Sequence, residues 1–386
     1  MAPRSFASEY DPRHNAFDAI RFALASLVVW SHSFPLSGRP NDWVSVVSRG
    51  QASGGSLAVD GFFVLSGFLV AQSWLARPAL ATFARNRFLR IVPALAAAVV
   101  FDAFLLGPLV SSLPPAAYFE TPGTWLHLLA VVRTRYLSCP GVFAANPIPE
   151  LMNGSLWTLR WEIGAYALLA LIGLAGGKRW LPLLVTLLVV SWGADVAASG
   201  LDGPGPHVLA CFAAGALAYT LRARIPYAPR YAIAAVALLG VTLAAGRFRF
   251  VVPLAGGYLL LFAAFAGRTL LDRFARYGDF SYGTYVFAYP VQQTIVHLHG
   301  GAIGAGALFA FSFPATLLLA LLSWHLVEAP ALARKRDGRQ RSAGTTSAAI
   351  VRNDAAATSR GMFDEPGISQ TNPSPSPASR VSRSRA

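Results

Sequence analysis

The sequence predicts an all-α polytopic membrane protein of about ten transmembrane helices, with both termini cytoplasmic. Three observations predict it. Of the 386 residues, 54% are hydrophobic and only 13% are charged, about half the charged share of a soluble domain. The chain contains ten apolar runs of about 17–25 residues, each long enough to cross a hydrocarbon core. Lys and Arg collect on alternate connectors, as cytoplasmic loops require.

Taken in order, the runs cover roughly 17–36, 56–76, 91–112, 155–175, 180–199, 206–222, 231–246, 251–271, 281–299 and 303–327. The seventh and ninth are the weakest, being short or interrupted by polar residues. On the even-numbered side the connectors hold nineteen Lys and Arg residues, from Arg4 to Arg341. The opposite side holds six: Arg39, Arg49, Arg133, Arg135, Arg247 and Arg249. The N-terminus (Met-Ala-Pro-Arg-Ser) lacks a cleavable signal pattern, so the first span is expected to serve as its own insertion signal. The loop 113–154 is long, Pro-rich and outward-facing in this topology. It reads equally as a cover for an outer site and as a plain connector. The tail 337–386 is rich in Ser, Thr, Pro, Arg and Ala, and is expected to be disordered and cytoplasmic.

The formal charge of +14 does not imply nucleic acid, because the basic residues are scattered at helix ends next to anionic lipid. The two cysteines, Cys139 and Cys211, read as neither a disulfide framework nor a metal site. No metal and no permanently bound cofactor is expected.

Polar residues inside the spans carry the functional argument, because ionisable groups in a bilayer are costly. Arg21 and His32 lie eleven residues apart in the first span, about 20° beyond three full turns, so they share one face roughly 16 Å apart along the axis. Topology puts Arg21 near the cytoplasmic face and His32 in the outer third. Asp60 at the start of span two, and Arg160 and Glu162 early in span four, fall in the same outer layer. Arg85, Arg87 and Arg90 follow span two on the cytoplasmic side, and Arg87 and Arg90 share a helical face. Guanidinium pairs bind phosphate bidentately. These groups also have plain readings, as an ion-pair network for Asp60, Arg160 and Glu162 and as positive-inside residues for 85–90. Together they suit a long phosphorylated donor entering from the cytoplasm, with its reactive end reaching a base near the outer side.

Six motifs give a resemblance. They are Arg21 with His32; Val-Asp-Gly-Phe-Phe-Val-Leu-Ser-Gly-Phe-Leu at 59–69; Arg-Phe-Leu-Arg-Ile-Val-Pro at 87–93; Ser-Leu-Trp-Thr-Leu-Arg-Trp-Glu at 155–162; Phe-Ser-Tyr-Gly-Thr-Tyr at 280–285; and Ser-Trp-His-Leu-Val-Glu-Ala-Pro at 323–330. In this order they resemble the integral-membrane acyltransferase family 3 of O-antigen, exopolysaccharide and nodulation-factor O-acetyltransferases. The resemblance spans residues 17 to about 336 and matches the stand-alone form, without a fused hydrolase-like domain. One departure is that a His often follows the Ser-Tyr-Gly-x-Tyr motif, whereas here Val-Phe-Ala-Tyr-Pro stands there and His297 and His299 do not match.

The resemblance implies a multi-pass enzyme of the bacterial inner membrane. It implies acetyl-CoA or another acyl-CoA as co-substrate and a glycan or lipid-linked sugar hydroxyl as acceptor. Arg85, Arg87, Arg90 and Arg21, with Arg160, are then the donor- and substrate-binding residues. His32 acts as general base or as a transient acyl carrier, with Asp60 or Glu162 orienting it. A small-molecule acceptor such as a macrolide fits the same chemistry. A proton-coupled transporter predicts inverted repeats with paired broken helices, and none are found. The sequence leaves the hydroxyl position, the acyl length and the oligomeric state open.

Overall fold

A computed structural model describes residues 4–133, 137–197, 203–267, 271 and 274–334. Arg135, Arg268, Arg273, Lys335, Arg336, Arg339, Arg341 and the expected tail 337–386 lie outside them. Among the described residues there are no β-strands, and a helix stands at each of the ten apolar runs. These are α1 (Phe17–Leu36), α2 (Gly54–Ala76), α3 (Leu80–Val110), α4 (Gly154–Ala175), α5 (Gly177–Ala197), α6 (Gly205–Thr220), α7 (Pro229–Ala244), α8 (Phe248–Ala266), α9 (Ser281–Leu298) and α10 (Ala305–Arg334). Seven are long and apolar enough to cross a membrane. The other three, α6, α7 and α9, have 16, 16 and 18 residues. The protein is an all-helical polytopic membrane protein.

One boundary differs from the sequence reading. Helix α3 begins at Leu80, not near residue 91. No breaker separates Ala79 from Pro93, and arginines extend a helix readily. Arg85, Arg87 and Arg90 therefore stand within the first three turns of α3 itself.

α2, α6 and α9 form the centre. Buried residues crowd all sides of α6 and α9, whereas α5 and α10 expose large aliphatic side chains along most of their length. In a membrane, helices approach closely only where small residues allow it. A Cβ at Gly67 would fall 1.9 Å from the Phe212 carbonyl oxygen, and one at Gly215 would fall 2.0 Å from that of Val64. This Gly67/Gly215 crossing fixes α2 against α6.

α9 carries buried polar residues that hide it from hydropathy, and its two glutamines find partners on other elements. Gln292 donates to the Val29 carbonyl and Ser33 Oγ on α1 at 2.7 and 2.8 Å. Gln293 donates to the carbonyls of Ile148 and Leu151 at 2.8 and 3.0 Å.

The loop 113–154 is compact over its described residues. Short helices Pro115–Glu120 and Pro122–His127 build a small core around Tyr118, Phe143 and Met152. Tyr118 donates to the Ala103 carbonyl of α3 at 2.9 Å. Asp102 sits in a widened turn of α3, Phe101–Leu106, and accepts from Asn153 at 3.1 Å. His127, in the loop, lies 3.7 Å from the same carboxylate. Burial pulls its imidazole pKa down, but Asp102 and Cys139 together outweigh burial and hold it up at about 10.

Candidate active site

Arg21 and His32 stand on α1 as the spacing predicts, at opposite ends of a pair of cavities. At the arginine end the organising group is Asp279, just before α9. Arg90 donates to Asp279 Oδ2 at 2.7 Å, and Arg21 reaches the same oxygen at 3.5 Å while also pairing with Asp18 at 2.8 Å. Asp279 Oδ1 accepts from the Ser281 N–H at the start of α9, at 3.2 Å. Burial raises the Asp279 pKa, but Arg90 and Arg21 outweigh it and hold the carboxyl at about 2. The group therefore stays ionised at neutral pH and fixes both guanidiniums.

Arg87 is held differently. Its guanidinium lies 5.8 Å from the Phe83 ring centre and 5.5 Å from that of Tyr166. Its Nε is buried with no hydrogen-bond partner. Arg21, Arg87 and Arg90 line one cavity of about 100 Å³ together with Glu162, Tyr166, Ser281, Tyr282 and Tyr285. Tyr166 donates to Glu162. Three cations and aromatic walls, with Asp279 beneath, can receive an anionic head group and pack a thin chain above it.

His32 lines a second cavity of about 280 Å³, with Asp42, Ser31, Ser45, Ser53, Ser56, Trp157 and Tyr285 among its walls. The Nδ1 of His32 is buried without a hydrogen-bond partner. Its ring meets the Tyr289 ring edge-on, with centres 5.4 Å apart. Tyr289 belongs to the Val-Phe-Ala-Tyr-Pro stretch that departs from the family pattern. Packing thus orients the imidazole where a carboxylate was expected. Asp42 accepts from Ser31 and, at 2.7 and 2.8 Å, from the N–H groups of Gly54 and Ser45. Burial raises the Asp42 pKa, but these donors outweigh it and lower it overall. The two cavities share Val59 and Tyr285 as walls. Tyr285 is held there by Thr158 Oγ1 at 2.7 Å and by the Ser155 carbonyl at 2.8 Å.

The expected grouping around His32 is corrected at three residues. Glu162 is not beside His32; it shares the arginine cavity. Residues 154–158 form a tight 3₁₀ turn, which rises about 2.0 Å per residue instead of 1.5 and carries Glu162 further along the bundle. Asp60 is not beside His32 either. It faces α6 and pairs with His207 at 3.2 Å. Arg160 is exposed and covers the Trp161 ring at 5.4 Å, so it lines neither cavity. Arg85 is exposed on the outer side of α3. Among the described residues, none that lines the His32 cavity comes from the loop 113–154, whose Ile148 and Leu151 instead pack against the cluster that holds Tyr289.

Sequence reasoning missed Asp279, Tyr166, Tyr285 and Asp42. Asp279 had one usable signal: it is an acid immediately before the Phe-Ser-Tyr-Gly-Thr-Tyr motif.

Comparison with known proteins identifies the family. An acyltransferase-domain family model of the acyltransferase 3 type matches residues 14–325. The O-acetyl transferase of Shigella phage Sf6 is 28% identical over 334 residues, covering 83% of this chain and 97% of that protein. Nodulation protein 10 of Rhizobium leguminosarum bv. viciae is 26% identical over 372 residues, covering 84% of this chain and 95% of its own. No solved structure matches significantly. The family match contains both cavities and every residue that lines them, and the chain belongs to the integral-membrane acyltransferase 3 family, as an acyltransferase enzyme.

Proposed function

We propose that the enzyme takes an acetyl group from acetyl-CoA on the cytoplasmic side and transfers it to a sugar hydroxyl of a cell-surface or exported glycan. The shared wall between the two cavities carries this reading. The phosphates of the donor meet Arg87, with Arg21 and Arg90 supporting them. The pantetheine arm follows the aromatic wall past Glu162 and Tyr166, and the thioester arrives where Val59 and Tyr285 separate the cavities. The acceptor occupies the His32 cavity, whose serines and Trp157 suit a polyhydroxylated ring. His32 removes the hydroxyl proton, the alkoxide attacks the thioester carbonyl, the carbon–sulfur bond breaks, and the imidazolium returns its proton to the departing thiolate. Neutral imidazole is a competent base near pH 7.

This orientation requires ten spans with both termini in the cytoplasm, and the Lys and Arg distribution supports that topology. Reporter fusions after Arg77, Arg224 and Arg334 are expected to report cytoplasm, and fusions within the loop 113–154 the opposite side. A cytoplasmic signal from that loop would place the His32 cavity on the donor side and end the proposal of transfer across the bilayer.

A further inference from the structure

A third cluster lies outside the two cavities. Asp60 of α2 meets His207 and Cys211, which stand one helical turn apart on α6. Their ligand atoms all lie within 4.8 Å of one another. His207 Nε2 is 3.2 Å from Asp60 Oδ2 and 3.9 Å from Cys211 Sγ. Ligands around a tetrahedral ion, at roughly 2.0–2.3 Å from it, stand about 3.3–3.8 Å apart. The two spacings from His207 Nε2 thus need only tenths of an ångström of adjustment. All three side chains are buried.

The surroundings complete the case. The far nitrogen of His207, Nδ1, lies 3.0 Å from Asp195 Oδ2. Asp195 is itself gripped by Arg249 at 2.6 and 3.0 Å. A carboxylate on the far nitrogen is what fixes the tautomer and ring direction of a metal-bound histidine. It leaves Nε2 free as a lone-pair donor, aimed between Asp60 and Cys211. Asp60 and His207 also line a cavity of about 110 Å³, which offers room for a water or another ligand. An ion-pair network alone accounts for Asp60, His207, Asp195 and Arg249, but leaves the thiol only a long 3.9 Å contact with His207. Carboxylate, imidazole and thiolate together select a zinc-type cation.

We infer that Asp60 Oδ2, His207 Nε2 and Cys211 Sγ bind one zinc-type divalent cation, with a fourth position open to this cavity. Binding displaces the thiol proton to solvent, and His207 binds as the neutral imidazole with its remaining proton on Nδ1 toward Asp195. The ion would tie α2 to α6 near the Gly67/Gly215 crossing. The inference stands independently of the acyl donor and acceptor.

The test is metal analysis of the purified full-length protein in lipid nanodiscs, without any activity assay. Zinc per chain is measured by plasma mass spectrometry, and cobalt(II) is then exchanged in and its absorption spectrum recorded. The expected result is about one zinc per chain and a thiolate-to-cobalt charge-transfer band. Cys211→Ser, a one-atom change, should lose the band and lower zinc affinity about tenfold or more. Asp195→Asn should keep the band while lowering affinity by about 10–100-fold, the usual effect of removing a partner of a ligand histidine. Size-exclusion profiles confirm that the variants remain folded. Zinc no higher in the wild type than in a Cys211→Ser/His207→Gln double variant would overturn the site, and so would a cobalt spectrum without the thiolate band.

Discussion

His32→Ala is expected to reduce acetyl transfer by about 100- to 10,000-fold, the usual contribution of one general base, while the protein reaches the membrane at normal abundance. His32 lines the larger of the two adjoining cavities and nothing pairs with its Nδ1. Removing the ring therefore breaks no hydrogen bond at that nitrogen, and the loss falls on chemistry. A covalent acyl-His32 route predicts a larger loss than base catalysis alone. His297→Ala and His299→Ala serve as controls, because they sit at the far end of α9 and line neither cavity. The measurement is acetylated acceptor per unit of membrane-inserted protein. A His32 variant retaining more than about a tenth of the activity, above the weak end of that range, would assign the residue to packing against Tyr289. The base would then be sought at Glu162.

Arg87→Ala is expected to weaken binding of coenzyme A by about ten- to a hundredfold, the worth of one charged hydrogen bond to phosphate at about 1.5–3 kcal/mol. Arg87 separates cleanly from its neighbours because it makes no ion pair with Asp279. Arg90→Ala is a different experiment. It removes the 2.7 Å partner of a carboxylate that also holds Arg21 and the start of α9, so a folding loss accompanies any binding loss. Calorimetry with coenzyme A on purified Arg87→Ala decides the matter. Undiminished affinity would leave the arginine with a role in orientation across the membrane only.

The legible and illegible parts of this chain divide along physical lines. α1 is read to the residue because an apolar run lies between polar and glycine-containing connectors. α9 is nearly lost to hydropathy, because Gln292 and Gln293 look exposed until their backbone partners on α1 and in the loop are known. Depth along the axis is readable from spacing, and the Arg21 and His32 placement follows from it. Direction around the axis is not. α2 is apolar on all faces, so no amphipathic stripe tells whether Asp60 faces α1 or α6. Glu162 fails for a smaller reason: counting at helical rise ignores the tight turn before it. Asp279 and Tyr285 lie at or beside a motif, but their contacts with the arginines and with α4 arise only when α9 is folded against α1, α3 and α4.

In the proposed reaction donor and acceptor meet from opposite faces through the wall formed by Val59 and Tyr285. Sealed membrane vesicles of known orientation, prepared from producing cells and so carrying their own acceptor, test it most directly. Labelled acetyl-CoA is supplied only to the face bearing Arg21, Arg87 and Arg90, and label is then sought on glycan at the face bearing His32. The account predicts labelling there that His32→Ala abolishes, and none when acetyl-CoA is given only to the His32 face. Labelling that requires donor and acceptor on the same face would contradict it.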